Sequence, residues 1–175
     1  MAPDATMNPM ALARRAEEWT DASIERAKEV FPPESPIACA KGCAHCCRLR
    51  VLVTRAEAMV VADAVRASPS APALIARIRA AARVETSARI ECPMLVDETC
   101  AVHDARPIAC RAMNSLDASM CAAAARTTGA HIPLYVPQLR VGETARERLA
   151  KELGAAGEDG ALVDLAAALH AIFEP

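Results

Sequence analysis

Aromatic side chains are nearly absent: one Trp, one Tyr and two Phe stand among 175 residues. That leaves no row of rings on which nucleobases could stack. Lysine is as scarce, three residues against 17 Arg, and the net charge is −2. A general binder of nucleic-acid polyanions is therefore not expected. No apolar run approaches the roughly 18 residues needed to cross a bilayer, so no membrane partner is expected. The first twenty residues include Arg14, Arg15, Glu17 and Glu18 and lack the apolar segment of a signal peptide, so export is not expected. Also missing are a phosphate-binding glycine loop, an H-E-x-x-H pair, a G-x-S-x-G elbow, a recognisable pair of catalytic carboxylates and any repeat of 20 to 50 residues.

What the chain has in excess is alanine, with 41 residues inside a hydrophobic fraction of 53%. Alanine favours helix but buries little area, so the expectation is a mainly α protein with a thin core. The second excess is cysteine, eight residues. In a reducing cytoplasm, the setting the sequence favours, so many thiols point to metal or redox chemistry rather than to a disulfide framework.

Periodicity places the elements. Asn8-Pro9 opens a helix over about 9–30, with Leu12, Ala16, Trp19, Ser23, Ala27 and Val30 as its inner stripe and Arg14, Arg15, Glu17 and Glu18 mostly outside. Leu49, Val51 and Val53 alternate with Arg48, Arg50 and Leu52, the pattern of one short strand or extended arm. Thr54 with Glu57 forms a capping box for a helix over 55–67. Pro72 starts another, carrying Leu74, Ile75, Ile78, Ala82 and Glu85 to about 89. Residues 92–111 read as irregular around the Asp97-Glu98-Thr99 turn, with Pro107 opening a short helical turn. Helix resumes near 119–127, a looped stretch covers 131–139, and two last helices fit at 143–153 and 161–172.

All eight cysteines fall in two groups, Cys39-x3-Cys43-x2-Cys46-Cys47 and Cys92, Cys100, Cys110 and Cys121. Thiolates two or three residues apart converge on one ion when the chain turns tightly, and Gly42 suits such a turn. Eight thiols fit two four-ligand sites, one polynuclear centre, or one site with spare cysteines. The side chains of Cys46 and Cys47 should diverge and so serve different ions, or divide into one ligand and one packing residue. Two divalent ions on eight thiolates carry −4, and a cubane on four thiolates about −2. Lys41, Arg48, Arg50, Arg106 and Arg111 lie beside the cysteines and offset that charge. His45 and His103 are placed to replace a thiolate or to donate a hydrogen bond to one. The Arg77, Arg79, Arg83, Arg89 stretch shares too little of one helical face to make a nucleic-acid surface.

With Cys92-Pro93-x-Leu95, Cys100, Arg106-Pro107-x2-Cys110-Arg111 and a trailing Cys121 added to the first group, the pattern resembles the YkgJ-type cysteine-cluster family over residues 37–125. The resemblance implies a domain chelating zinc or iron. Flagellin-lysine methylases within it are associated with an iron–sulfur centre, other members with zinc. His103 stands where the family often has Tyr. Cys39-x3-Cys43-x2-Cys46 also has the spacing of the cluster loop of radical S-adenosylmethionine enzymes, whose large barrel of strands a chain of this length and helical bias cannot supply. The expectation is a small helical domain with little or no sheet and two irregular cysteine-rich loops clamped by metal. Residues 1–36 supply an N-terminal helix, 37–125 the metal-binding domain and 126–175 a helical extension of it. Alternatives are an iron–sulfur enzyme or electron-transfer accessory, and a thiol redox sensor.

Overall fold

The computed structural model of the protein describes residues 8–40, 42–84, 90–126 and 131–174. Among them are seven helices, α1 (Pro9–Val30), α2 (Arg55–Ala67), α3 (Ala71–Ala82), α4 (Ile108–Ala112), α5 (Ala118–Arg126), α6 (Val136–Ala155) and α7 (Leu165–Phe173). Four two-residue strands make two small sheets. β1 (Leu52–Val53) pairs antiparallel with β4 (Val163–Asp164), and β2 (Leu95–Val96) with β3 (Thr99–Cys100). The protein is mainly α, with little sheet, as its composition implies.

Caps set the main boundaries. Asn8 accepts the Ala11 amide at 2.9 Å, and Pro9 occupies a first-turn position where no N–H is needed. At α2 the capping box is complete: Thr54 Oγ1 accepts the Glu57 amide at 3.2 Å, and Glu57 Oε2 accepts the Thr54 amide at 2.8 Å.

α2 is the wall between two apolar clusters. Ala58, Val61, Ala62 and Val65 face Leu74 and Ile78 of α3, Leu165 and Leu169 of α7, and Met94 and Val102. Ala56 and Val60 face Leu12 and Ala13 of α1, Ile108 of α4, and Ala145, Leu149 and Leu153 of α6. The partly buried Cys92 and Cys100 pack against the first cluster, which ties the cysteine loops to the core.

Several expectations need correction. The buried face of α1 is Leu12, Ala13, Glu17, Thr20 and Ile24, rotated from the expected stripe. Glu17, expected outside, is 4% exposed, with the guanidinium of Arg111 3.6 Å away. α3 ends at Ala82 instead of running to 89. There Arg50 Nη2 takes the Val84 carbonyl at 3.0 Å, an acceptor that a continuing helix would use; residues 85–89, with Glu85 and Arg89, lie outside the described residues. The irregular stretch 92–111 contains the β2–β3 hairpin, a 3-10 turn at His103–Ala105 and α4. α6 begins at Val136, seven residues before its expected start, because Pro137 fits a helical first turn. Residues 161–164 are not helical; Val163 and Asp164 pair with β1, and Asp164 then caps α7 by accepting the Ala167 amide at 3.0 Å. α5 fits its expected span except Thr127, which is outside the described residues. Among the described residues no helix is long and apolar enough to cross a membrane.

Candidate metal centre

The first cysteine loop turns at Gly42, whose φ of +89° is open to glycine and strained for other residues. A 3-10 turn over His45–Arg48 follows and carries Cys46 and Cys47. Two backbone hydrogen bonds attach this loop to the second group: Cys92 N to the Cys47 carbonyl at 2.7 Å and Ala38 N to the Ser115 carbonyl at 2.8 Å. Cys100 sits on β3, Cys110 on α4 and Cys121 on α5, and α5 packs against the 3-10 turn. All eight cysteines are free thiols; Cys39 and Cys46 are exposed and the others half-buried.

Side chains that carry no thiol brace these loops. Arg77 donates to the Pro93 carbonyl at 3.0 Å and the Leu95 carbonyl at 2.6 Å, and pairs with Glu91 at 3.0 Å, so it clasps the loop just after Cys92. Arg48 pairs with Glu98 at 2.7 Å. That link fixes the hairpin turn carrying Cys100 to the turn carrying Cys47. The turn is demanding, since Asp97 and Glu98 have φ of 49° and 56°, the left-handed values a two-residue hairpin loop needs. Glu57 is fully buried, and its second oxygen accepts the Ile108 amide at 3.0 Å. One carboxylate thus caps α2 and holds the start of the helix carrying Cys110. Arg111, nearly buried, pairs with Asp21 and donates to the carbonyls of Arg106 and Asp104, gathering the 103–106 segment against α1. At Gly142 a Cβ would lie 2.2 Å from Ala112 Cβ, so only glycine lets α6 and α4 cross this closely.

The thiols influence one another in two sets that meet at the vicinal pair. Burial raises Cys39, and Cys43, Cys46 and Cys121 add to that against the lowering effect of the Ser115 backbone. Burial pushes Cys92 up to about 11, with Cys100 and Cys46 contributing. Cys110 is held far above the ordinary thiol value by burial first, then by Cys92, Cys46 and Cys100. Cys46 is drawn down to about 6 because Cys47 donates a hydrogen bond to it, and Cys47 is raised in return. The neighbours of Cys47 also include Cys92 and Cys110. The 3-10 turn sets the two cysteines in succession, and their thiols affect each other's acidity.

As the side chains stand, no group of three or more His, Cys, Asp or Glu among the described residues is arranged to hold a metal ion. The donor chemistry nevertheless fits the soft metals: eight reduced thiols, with loops tied to each other by backbone bonds, suit zinc or iron. His45 lies half-buried within the turn. His103 is exposed, with Nδ1 3.5 Å from Asp104. Arg106 lowers the thiols of Cys46, Cys100 and Cys110 by its charge. Lys41 lies outside the described residues. Arg77, Arg79, Glu57, Glu17 and Gly142 had no signature as site residues; only the capping box marked Glu57, and as a helix cap alone. Arg77 is spent on the Cys92 loop and Arg79 on Glu174 at 2.6 Å, so the basic stretch is internally paired at these two positions.

Neither the curated proteins nor the solved structures contain a match to this chain. Residues 38–128, just over half of the sequence and every cysteine, match the family described as a "putative zinc- or iron-chelating domain". The chain therefore belongs to this CxxCxxCC family.

Proposed function

We propose that the protein is a cytoplasmic metal-binding protein that chelates zinc or iron through its clustered thiolates. The observation that carries this reading is the meeting of two thiol sets at Cys46-Cys47. Cys39 feels the charges of Cys43, Cys46 and Cys121, and Cys110 those of Cys92, Cys46 and Cys100. In this reading three thiols plus one of the pair make a four-ligand set in each group, which is the count a closed structural site needs. In this reading all eight cysteines are ligands. Arg106 and Arg111 lie around them, Arg106 as a counter-charge and Arg111 as the brace of its segment, and His45 and His103 flank the centre. A bound ion supplies cross-linking of the two loops or, as an iron–sulfur cluster, electron transfer. The helix in 1–36 and the helices in 126–175 serve as the scaffold of the 37–125 metal domain.

The test is elemental analysis of protein purified without oxygen. One to two equivalents of zinc or iron support the reading, and less than a tenth of an equivalent of any transition metal refutes it. A colourless protein with stoichiometric zinc decides for zinc; a brown one with charge-transfer absorption decides for an iron–sulfur centre. Ser at Cys43 or at Cys110 should each lower the metal content.

One observation favours a second reading, thiol redox sensing. Cys46 is exposed and its thiol is drawn down to about 6 beside Cys47, the character of an oxidisable cysteine. If Cys46→Ser and Cys47→Ser both keep full metal stoichiometry, the pair is not a ligand and this reading moves ahead.

A further inference from the structure

We propose that the protein binds a small organic carboxylate in the cavity between α1 and the 103–113 segment, with Arg106 as the anchor. The cavity holds about 610 Å³ and is lined by one thiol from each set, Cys39 and Cys110. That volume lies within the range of small-molecule sites and far exceeds an inorganic ion.

The charges of its wall single out Arg106. Three cations and three carboxylates line the space, and two pairs are closed: Lys28 with Glu25 at 2.7 Å, and Arg111 with Asp21. The third carboxylate, Asp104, is fully exposed and rests near His103. Arg106 spends only Nε, on the His103 carbonyl at 2.9 Å. Among the described residues its two Nη atoms have no hydrogen-bond or carboxylate partner. A guanidinium fork with its outer edge free is the group that receives a carboxylate through two parallel hydrogen bonds.

The fork is also held in advance. Pro107 restricts the backbone of Arg106 to its extended conformation, φ −63° and ψ 135°. The Arg106 amide donates to the His103 carbonyl at 3.3 Å, and its own carbonyl accepts from Arg111 Nε at 2.6 Å. Ordering that would otherwise oppose binding is thus already done by the fold. The free fork suits a carboxylate, and Ile24, Ile37 and Met113 offer an apolar wall for its body.

The proposal does not rest on the metal. Calorimetric titration of the full chain, purified without oxygen, uses butanoate and benzoate, with n-butylammonium as the control. Saturable binding of at least one carboxylate, at one site per chain, is the expected result. Arg106→Gln should weaken it tenfold or more, and so should Met113→Glu, which sets a negative charge on the apolar wall at a position already 40% exposed. No binding of either carboxylate overturns the proposal, as does equal binding of n-butylammonium or wild-type affinity in Met113→Glu. Metal content measured on the same samples separates the two readings: a metal-free chain that still binds butanoate refutes the metal reading alone, and a metal-replete chain that binds neither carboxylate refutes this one alone.

Discussion

The amide of Cys92 donates to the carbonyl of Cys47 at 2.7 Å, so the two cysteine groups are already joined through the backbone. The Ala38–Ser115 bond makes a second such link. An ion on the thiolates therefore reinforces contacts that the chain makes by itself, and metal affinity becomes folding free energy at these contacts first.

Chelation should accordingly speed hydrogen exchange at the Cys92 and Ala38 amides together, while amides in the middle of α6 keep their protection. Peptide-level exchange with and without a chelator measures this. Unchanged exchange at both amides, with metal shown to be removed, would mean that the ion does not brace the loops.

Gly142→Ala should destabilise the protein by roughly 1–3 kcal/mol, the usual cost of overpacking, because the new methyl would lie 2.2 Å from Ala112 Cβ. The double variant with Ala112→Gly should recover most of the loss. Thermal melts of the single and double variants test the coupling, and a neutral single variant would show that α4 and α6 have room to part.

The comparison of sequence with structure turns on partners distant along the chain. α1 and α2 were legible to the residue because their caps are local: Asn8-Pro9, and Thr54 with Glu57. The cysteine spacing made the family legible for the same reason. Arg77 and the second role of Glu57 were not, because each acts on a backbone group that sequence places elsewhere. The β2–β3 hairpin escaped because Asp97-Glu98 lacks the glycine that usually marks its left-handed turn. The inner face of α1 was misplaced because a charged side chain, Glu17, occupies it, against the usual rule for burial.

Glu57→Gln should cost about 1–3 kcal/mol and lower the metal content. Its two oxygens accept from Thr54 N, Thr54 Oγ1 and Ile108 N, and an amide must turn a donor toward at least one of those donors. The start of α4, and Cys110 with it, then loses its hold on α2. Melting temperature and metal per chain should fall together; a stable variant with reduced metal would instead assign Glu57 to the centre alone.

Glu17 supplies the pH dependence. Burial is the main cause that raises its carboxyl to about 8, with Glu57 and Asp21 adding to the rise and Arg111 and Arg14 opposing it. Its Oε1 is buried with no hydrogen-bond partner. In the unfolded chain the same group ionises near 4.5, so between these values the folded state binds the extra proton. The contribution of Glu17 to stability is then fully present below about 4.5, and is lost as the pH rises through about 8. Glu17→Gln keeps the shape and cannot ionise. The difference in unfolding free energy between wild type and this variant should shift toward the variant as pH rises from 5 to 8, by a few kcal/mol at most. Denaturant titrations at matched metal content measure that difference, and the titrations of the other groups largely cancel in it. A difference that stays flat across this range would show that Glu17 is ionised in the fold and held by Arg111.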